Sequence, residues 1–195
     1  MEETIVVMDL LAPDVPMLKS RIEELGVKCV ILDATTSAEK IKELPNIKGI
    51  ILSGGPQNLL KEDAVKVDEG VYKLNLPILG ICYGFELTML QLGGQLGICK
   101  TSEVGKFELT VVTENELFEY TPETQNVYMN HSEECVEVAK GFEVIAKTET
   151  CRVAAVANRS NRMYGVQFHP EKSDTTHGGQ ILKNFVRNIC LGMRN

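Results

Sequence analysis

Along the first half of the chain, short apolar runs alternate with apolar residues at helical spacing. Ile5–Met8 is an apolar run ending at Asp9. Leu18, Ile22 and Leu25 then recur at the helical period, with Pro16 suited to a first turn and Gly26 to a stop. Val27–Leu32 predicts a second strand, Ser37–Leu44 a short helix, and Gly49–Leu52 a third strand running into Ser53-Gly-Gly-Pro56. Ala64–Leu74 predicts a helix and Ile78–Ile81 a strand, followed by a helix over Phe85–Leu92 that Gly93-Gly94 stops. This alternation predicts an α/β fold, an open and mostly parallel central sheet with helices on both faces.

The second half is richer in strands, expected at Phe107–Thr113, Asn126–Met129, Phe142–Lys147, Arg152–Ala157 and Met163–Phe168. A closing helix over Gly179–Cys190 would bury Ile181, Leu182, Phe185, Val186 and Ile189. No repeat, low-complexity segment or linker interrupts the pattern, so residues 1–195 are expected to form a single domain.

Composition narrows the function classes. Hydrophobic residues make up 44% and charged residues 24%, an ordinary globular balance. The formal net charge is −7 and Lys/Arg runs are absent, which argues against nucleic acid or an anionic membrane as partner. The acidic start, Met-Glu-Glu-Thr, lacks a signal pattern, and no apolar stretch approaches bilayer length; a soluble, cytoplasmic protein is expected. The six cysteines lie far apart without a Cys-x-x-Cys pair, so no metal site is expected. Five of them read as small buried hydrophobes.

Cys82 differs. Pro77-Ile-Leu-Gly-Ile-Cys82-Tyr-Gly84 reads as a buried strand, a cysteine between glycines at minus two and plus two, then a helix. That pattern places a nucleophile on a sharp strand-to-helix turn at the carboxyl edge of a sheet, where ligands of such folds bind. A free thiol at pH 7 is only roughly 3% thiolate. A helix N-terminus and a neighbouring imidazolium are expected to raise that fraction. Gly165-Val-Gln-Phe-His169-Pro-Glu171 supplies a candidate base, His169, and an orienting carboxylate, Glu171. If the segment is extended, residues two apart share a face and Glu171 reaches the imidazole. The Gly54-Gly55 turn and the N–H of Tyr83 are candidate oxyanion donors. Together these residues point to acyl transfer through a cysteine.

Ser53-Gly-Gly-Pro56, Gly80-Ile-Cys-Tyr-Gly84 and Gly165-Val-Gln-Phe-His-Pro-Glu171 resemble the three signatures of class I (triad) glutamine amidotransferases. Gln91-Leu-Gly-Gly94, Tyr128-Met-Asn-His131, Gly141-Phe-Glu-Val-Ile-Ala146 and the ending Ile181–Cys190 are similar to the amidotransferase part of GMP synthetase. The resemblance implies a flavodoxin-like architecture and hydrolysis of the glutamine side-chain amide through a γ-glutamyl thioester. It implies Cys82 as nucleophile, His169 as base and acid, Glu171 as orienter, Gly55 and Tyr83 as oxyanion hole, and Gly54 and Glu86 as substrate-binding residues. It also implies ammonia delivery to an ATP-pyrophosphatase synthetase that aminates adenylylated XMP. No phosphate-binding loop follows the closing helix, so ATP and magnesium would belong to a separate partner subunit, with no cofactor in this chain.

The sequence departs from the family pattern in places. Glu86 stands where the family has Gln, Asp9-Leu-Leu-Ala-Pro-Asp14 replaces Asp-Phe-Gly-x-Gln-Tyr, and Lys172 replaces an apolar residue. These changes motivate an alternative, a free-standing γ-glutamyl hydrolase or transferase with another substrate; a non-catalytic regulatory module is a third reading. His131 matches a histidine of a Ser-His-Gly-Asp-like segment and reads either as a supporting site residue or as a hydrogen-bonded structural histidine. His177 is expected to be a loop or cap residue without chemistry.

Overall fold

The computed structural model describes residues 2–193. Among these residues nine strands form one sheet in the order β2-β1-β3-β4-β9-β8-β7-β5-β6. β1 (Thr4–Asp9), β2 (Lys28–Asp33), β3 (Ile47–Leu52), β4 (Ile78–Ile81) and β9 (Met163–Val166) run parallel. β8 (Ala155–Asn158), β7 (Glu143–Lys147), β5 (Gln95–Val111) and β6 (Thr124–Glu137) extend the sheet antiparallel. The parallel strands come from the alternating half of the sequence and the antiparallel ones from its strand-rich half.

The period-two alternation of β1 divides the core. Ile5 and Val7 pack on one face with α1 (Val15–Glu23) and α4 (Gly178–Lys183), and Val6 and Met8 pack on the other with α2 (Ala38–Lys42) and α3 (Tyr83–Gln91). All of these β1 side chains are fully buried, as expected of a central strand covered on both faces. α1 starts with Pro16 in its first turn and buries Val15, Leu18 and Ile22; Gly26, at φ 81°, ends the turn beyond it. α3 buries every residue from Tyr83 to Met89, and Gly94 N–H closes it on the Met89 carbonyl at 2.7 Å.

Three elements differ from the sequence expectation. Ala64–Leu74 is helical only as a short 3₁₀ segment, Glu69–Lys73. The carbonyls of Val65 and Val67 accept bonds from the Tyr83 hydroxyl and the Gln91 amide of α3, so they are not available to a helix ladder. β5 and β6 pair over most of their lengths as a long ribbon, interrupted between Ile98 and Glu103, well beyond the short strands expected there. The closing helix is α-helical only to Lys183 and then widens into π-helical winding over Asn184–Cys190. The change begins at the buried Asn184, whose amide donates to the carbonyls of Leu117 and Glu119.

Candidate active site

Cys82 follows β4 and opens α3, with φ 50° and ψ −109°. A non-glycine residue there stores on the order of 1–3 kcal/mol of strain, held by the surrounding packing. The flanking glycines serve close approach rather than an unusual φ. A Cβ on Gly84 would lie 2.2 Å from the Leu52 carbonyl oxygen, and one on Gly80 would lie 2.7 Å from the Gly84 oxygen. The bend therefore falls on the nucleophile itself, and its neighbours let helix and strands close around it.

β4 and β9 pair in parallel, and Cys82 N–H bonds the Val166 carbonyl at 2.8 Å, so the residues just after β9 lie beside the elbow. β9 stops at Val166. His169 and Glu171 meet through a turn in which Lys172 N–H reaches the His169 carbonyl, and not through strand alternation as expected. Glu171 Oε1 lies 2.8 Å from His169 Nδ1, as the orienting role requires. His169 is further fixed by its N–H on the Tyr128 carbonyl, by the Thr175 hydroxyl on its own carbonyl at 2.7 Å, and by an edge contact with the Tyr128 ring. Its ring lies over Gly54, where a Cβ would come within 3.1 Å of Cε1. A Cβ on Gly55 would meet the Leu10 carbonyl at 2.3 Å, so glycine is required at that position by proximity, whereas one on Gly54 would only crowd the imidazole. Among the described residues, no backbone hydrogen bond takes up the N–H of Gly54 or Gly55.

The thiol's own bonds are not those the sequence suggests. Its S–H donates to the Asn130 carbonyl at 3.7 Å, and the Gln167 amide donates to the sulfur at 3.7 Å. None of the hydrogen bonds among the described residues joins Cys82 to His169. The same Gln167 amide donates to Glu86 Oε1 at 2.8 Å. Burial and then the nearby Glu86 carboxylate push the Cys82 thiol well above its ordinary range, against the pull of the Tyr83 N–H and the Gln167 amide. The expected thiolate-favouring environment is thus reversed in this conformation. Glu86, only 3% exposed, is itself raised to about 8, chiefly by burial.

His131 does not join the triad. Its Nε2 lies 2.7 Å from Glu103 Oε2 and its Nδ1 2.7 Å from the Glu133 carbonyl. Both partners are acceptors, which calls for an imidazolium. Burial works to lower its pKa, but the Glu103 bond and the Glu133 carbonyl outweigh that and raise it. Burial works to raise Glu103, and bonds from His131, Thr148 and Thr150 hold it below its ordinary value. The neighbour of His131, Asn130, presents the carbonyl that takes the thiol. His177 is the residue before α4 and makes no side-chain capping bond.

Glu103→Ala is expected to lower unfolding stability by about 3–5 kcal/mol, because it strands a buried cation and two hydroxyls. A urea titration measures it. Glu103's contribution should be present above about pH 4.5 and fade as pH falls through its lowered value. His131's should be present below about pH 6.5 and fade as pH rises through its raised one.

Among the described residues, two sets of groups place ligand atoms within 4.8 Å of one another, Glu103–His131–Cys151 and Asp14–His169–Glu171. Close protein hydrogen bonds or ion pairs already engage a carboxylate in both, so the fit to a metal is poor. A cavity of about 600 Å³ lies between Val111–Asn115 and Phe118–Glu123 and carries none of the triad residues. Cys29, Cys135 and Cys151 are buried, whereas Cys99 and Cys190 are half-buried; Cys99 Sγ lies 3.5 Å from His131 Nδ1. Sequence reading assigned no role to Asn130 or Gln167. Gln167 could have been found from its place two residues before His169, on the edge that faces the elbow.

A sheet with a cysteine elbow on one strand end and a histidine–glutamate pair beside it defines a class of cysteine-dependent acyl-transfer proteins. The family model for class-I glutamine amidotransferases matches residues 6–193, and the chain belongs to that family. It is 45% identical over 189 residues to the glutamine-hydrolysing GMP synthase of Staphylococcus saprophyticus and 41% identical to that of Staphylococcus epidermidis. Those alignments cover 97% of this chain but only 36% of each relative. A Thermoplasma acidophilum protein assigned as one of the subunits of a GMP synthase superposes with a TM-score of 0.88 at 29% identity, covering 98% of this chain and 96% of that one. A Thermotoga maritima glutamine amidotransferase shares the fold, with a TM-score of 0.79 at 15% identity over 97% and 99% of the two chains. No helix among the described residues is long and apolar enough to cross a membrane.

Proposed function

We propose that this chain is a cytoplasmic glutaminase subunit that supplies ammonia to a separate ATP-pyrophosphatase subunit for GMP synthesis from XMP. The observation that carries the reading is the Cys82 elbow placed beside a histidine already held by Glu171 at 2.8 Å. In the reaction, His169 takes the thiol proton and Cys82 sulfur bonds to the side-chain amide carbon of glutamine. The N–H groups of Gly55 and Tyr83 stabilise the oxyanion. His169 returns the proton to the leaving nitrogen, the C–N bond breaks and ammonia departs. Water, deprotonated by His169, then cleaves the γ-glutamyl thioester to release glutamate and the thiol. Gly54 and Glu86 contribute to the substrate pocket, and His131 has a supporting role through its neighbour Asn130. The chemistry needs no metal or cofactor in this chain; ATP and magnesium serve the partner.

Because S–H points to Asn130, attack on the amide requires the thiol to turn from that carbonyl toward the imidazole. Substrate binding or partner docking can supply that change. Incubating the purified chain with glutamine, then with glutamine plus a GMP synthetase ATP-pyrophosphatase subunit, tests the reading. Glutamate release that rises with the partner, and a single adduct on Cys82 from a glutamine-like electrophile, are expected. No hydrolysis in either case and no adduct would refute it; hydrolysis of other γ-glutamyl compounds in preference to glutamine would transfer the site to a different substrate.

A further inference from the structure

Lys172 and Asp14 form an ion pair beside the turn that carries His169 and Glu171. Lys172 Nζ lies 2.9 Å from Asp14 Oδ2, and the same ammonium sits 5.6 Å from the centre of the Tyr128 ring. Tyr128 in turn presents its ring to the His169 imidazole edge-on at 6.0 Å and accepts the His169 N–H on its carbonyl. Thr175 closes the loop, accepting Tyr128 N–H at 3.0 Å and donating to the His169 carbonyl. Asp14 immediately precedes α1, where an aspartate ordinarily caps the helix, yet its side chain makes no capping bond. Its carboxylate is turned instead toward Lys172 and stands within 4.8 Å of both the His169 and Glu171 polar atoms.

We propose that Asp14 and Lys172 are positioning residues for His169, tying its turn to the start of α1 and balancing charge beside the imidazole. The proposal rests on the glutaminase reading for its kinetic consequence but not for its electrostatic one. With side chains 28% and 22% exposed, an ion pair contributes little to overall stability. Its value lies in geometry and field. Without Lys172, the turn that carries His169 and Glu171 loses its tie to α1, and the Asp14 carboxylate faces the imidazole uncompensated. Without Asp14, the ammonium stands alone near the ring. The groups facing His169 are then Glu171 on its own turn, Tyr128 on β6, Cys82 on the elbow, and whichever member of the pair remains.

These two losses push the imidazole in opposite directions, which a merely structural contact would not do. The chain has three histidines, so their ring signals can be followed individually by NMR across a pH titration. Lys172→Met is expected to raise the proton affinity of His169 by about three- to tenfold, and Asp14→Asn to lower it by a similar factor. The charge-exchanged double variant Asp14→Lys/Lys172→Asp should return the midpoint toward that of the parent, and Lys172→Arg should leave it near the parent value. In glutamine hydrolysis, both single variants should lower kcat several-fold with KM little changed, and shift the acid limb of the kcat/KM profile with the same opposite signs. Midpoints that do not move, or that move together in one direction, would overturn the proposal whatever the activity. If the parent chain hydrolyses no glutamine while the midpoints separate as described, the glutaminase reading fails and the positioning pair stands.

Discussion

Cys82→Ala and His169→Ala are each expected to lower glutamine hydrolysis by about ten-thousand-fold, and the double variant to fall no further. A nucleophile and its base act as one unit, so removing either removes the covalent route, and the second loss finds nothing left to remove. The structure makes this more than a family expectation, because the resting thiol is not bonded to the imidazole. Burial first of all disfavours the thiolate, the ionised Glu86 carboxylate adds to this at higher pH, and the S–H rests on the Asn130 carbonyl. A thiol so suppressed depends wholly on a base arriving at the moment of attack, and His169, oriented by Glu171, is the candidate. The competing base is Glu86, which shares the Gln167 amide with the sulfur and is raised to about 8. Steady-state assays with free glutamate as product decide between them. A His169→Ala variant that retains activity within tenfold of the parent would move the base role to Glu86.

The parallel half of the fold was legible because each of its strands is a short apolar run followed by a helix start. The elbow was legible because glycines at minus two and plus two flank a cysteine. What they permit was not: close packing against Leu52 and Phe85, with the positive φ on Cys82, emerges only when neighbouring strands are in place. The Ala64–Leu74 helix was misjudged because the claim on the Val65 and Val67 carbonyls comes from α3, across the fold. The β5–β6 ribbon was underestimated because most of its side chains are exposed or half-buried, so its pairing is carried by the backbone ladder and leaves a weak apolar alternation. Thiol protonation was missed for a similar reason. A helix N-terminus is visible in sequence, whereas the burial and the carboxylate that oppose it are properties of the assembled core. Asp14 and Lys172 each stood out as a departure from the family pattern, yet their pairing required two distant segments to be brought together.

Glu86→Gln is expected to stabilise the folded chain at alkaline pH and to make Cys82 more reactive. The sign follows from the direction of the shift. Burial raises Glu86 from 4.5 to about 8, so the unfolded chain ionises it across a pH range in which the folded chain keeps it protonated. Stability therefore declines as pH rises from about 4.5 to about 8, and at about 1.4 kcal/mol per pH unit the full effect is of the order of 5 kcal/mol. A neutral amide at this position has no such penalty. Urea titrations should show parent and variant converging below about pH 5 and separating progressively up to about pH 8. Removing Glu86 also removes the second-largest influence that disfavours the thiolate. Alkylation of Cys82 by iodoacetamide, followed against pH, should then reach half its maximal rate at lower pH in the variant. An amide can still accept from Gln167 through its oxygen, so the clasp linking α3 to the elbow survives and the change isolates charge from packing. Alkylation profiles that coincide would show that Glu86 does not restrain the nucleophile; stability curves that stay parallel from pH 5 to 9 would show that its carboxyl titrates as it does in water. If both separate, this buried carboxyl exerts two effects as it ionises, lowering stability toward alkaline pH and disfavouring the thiolate over the same range.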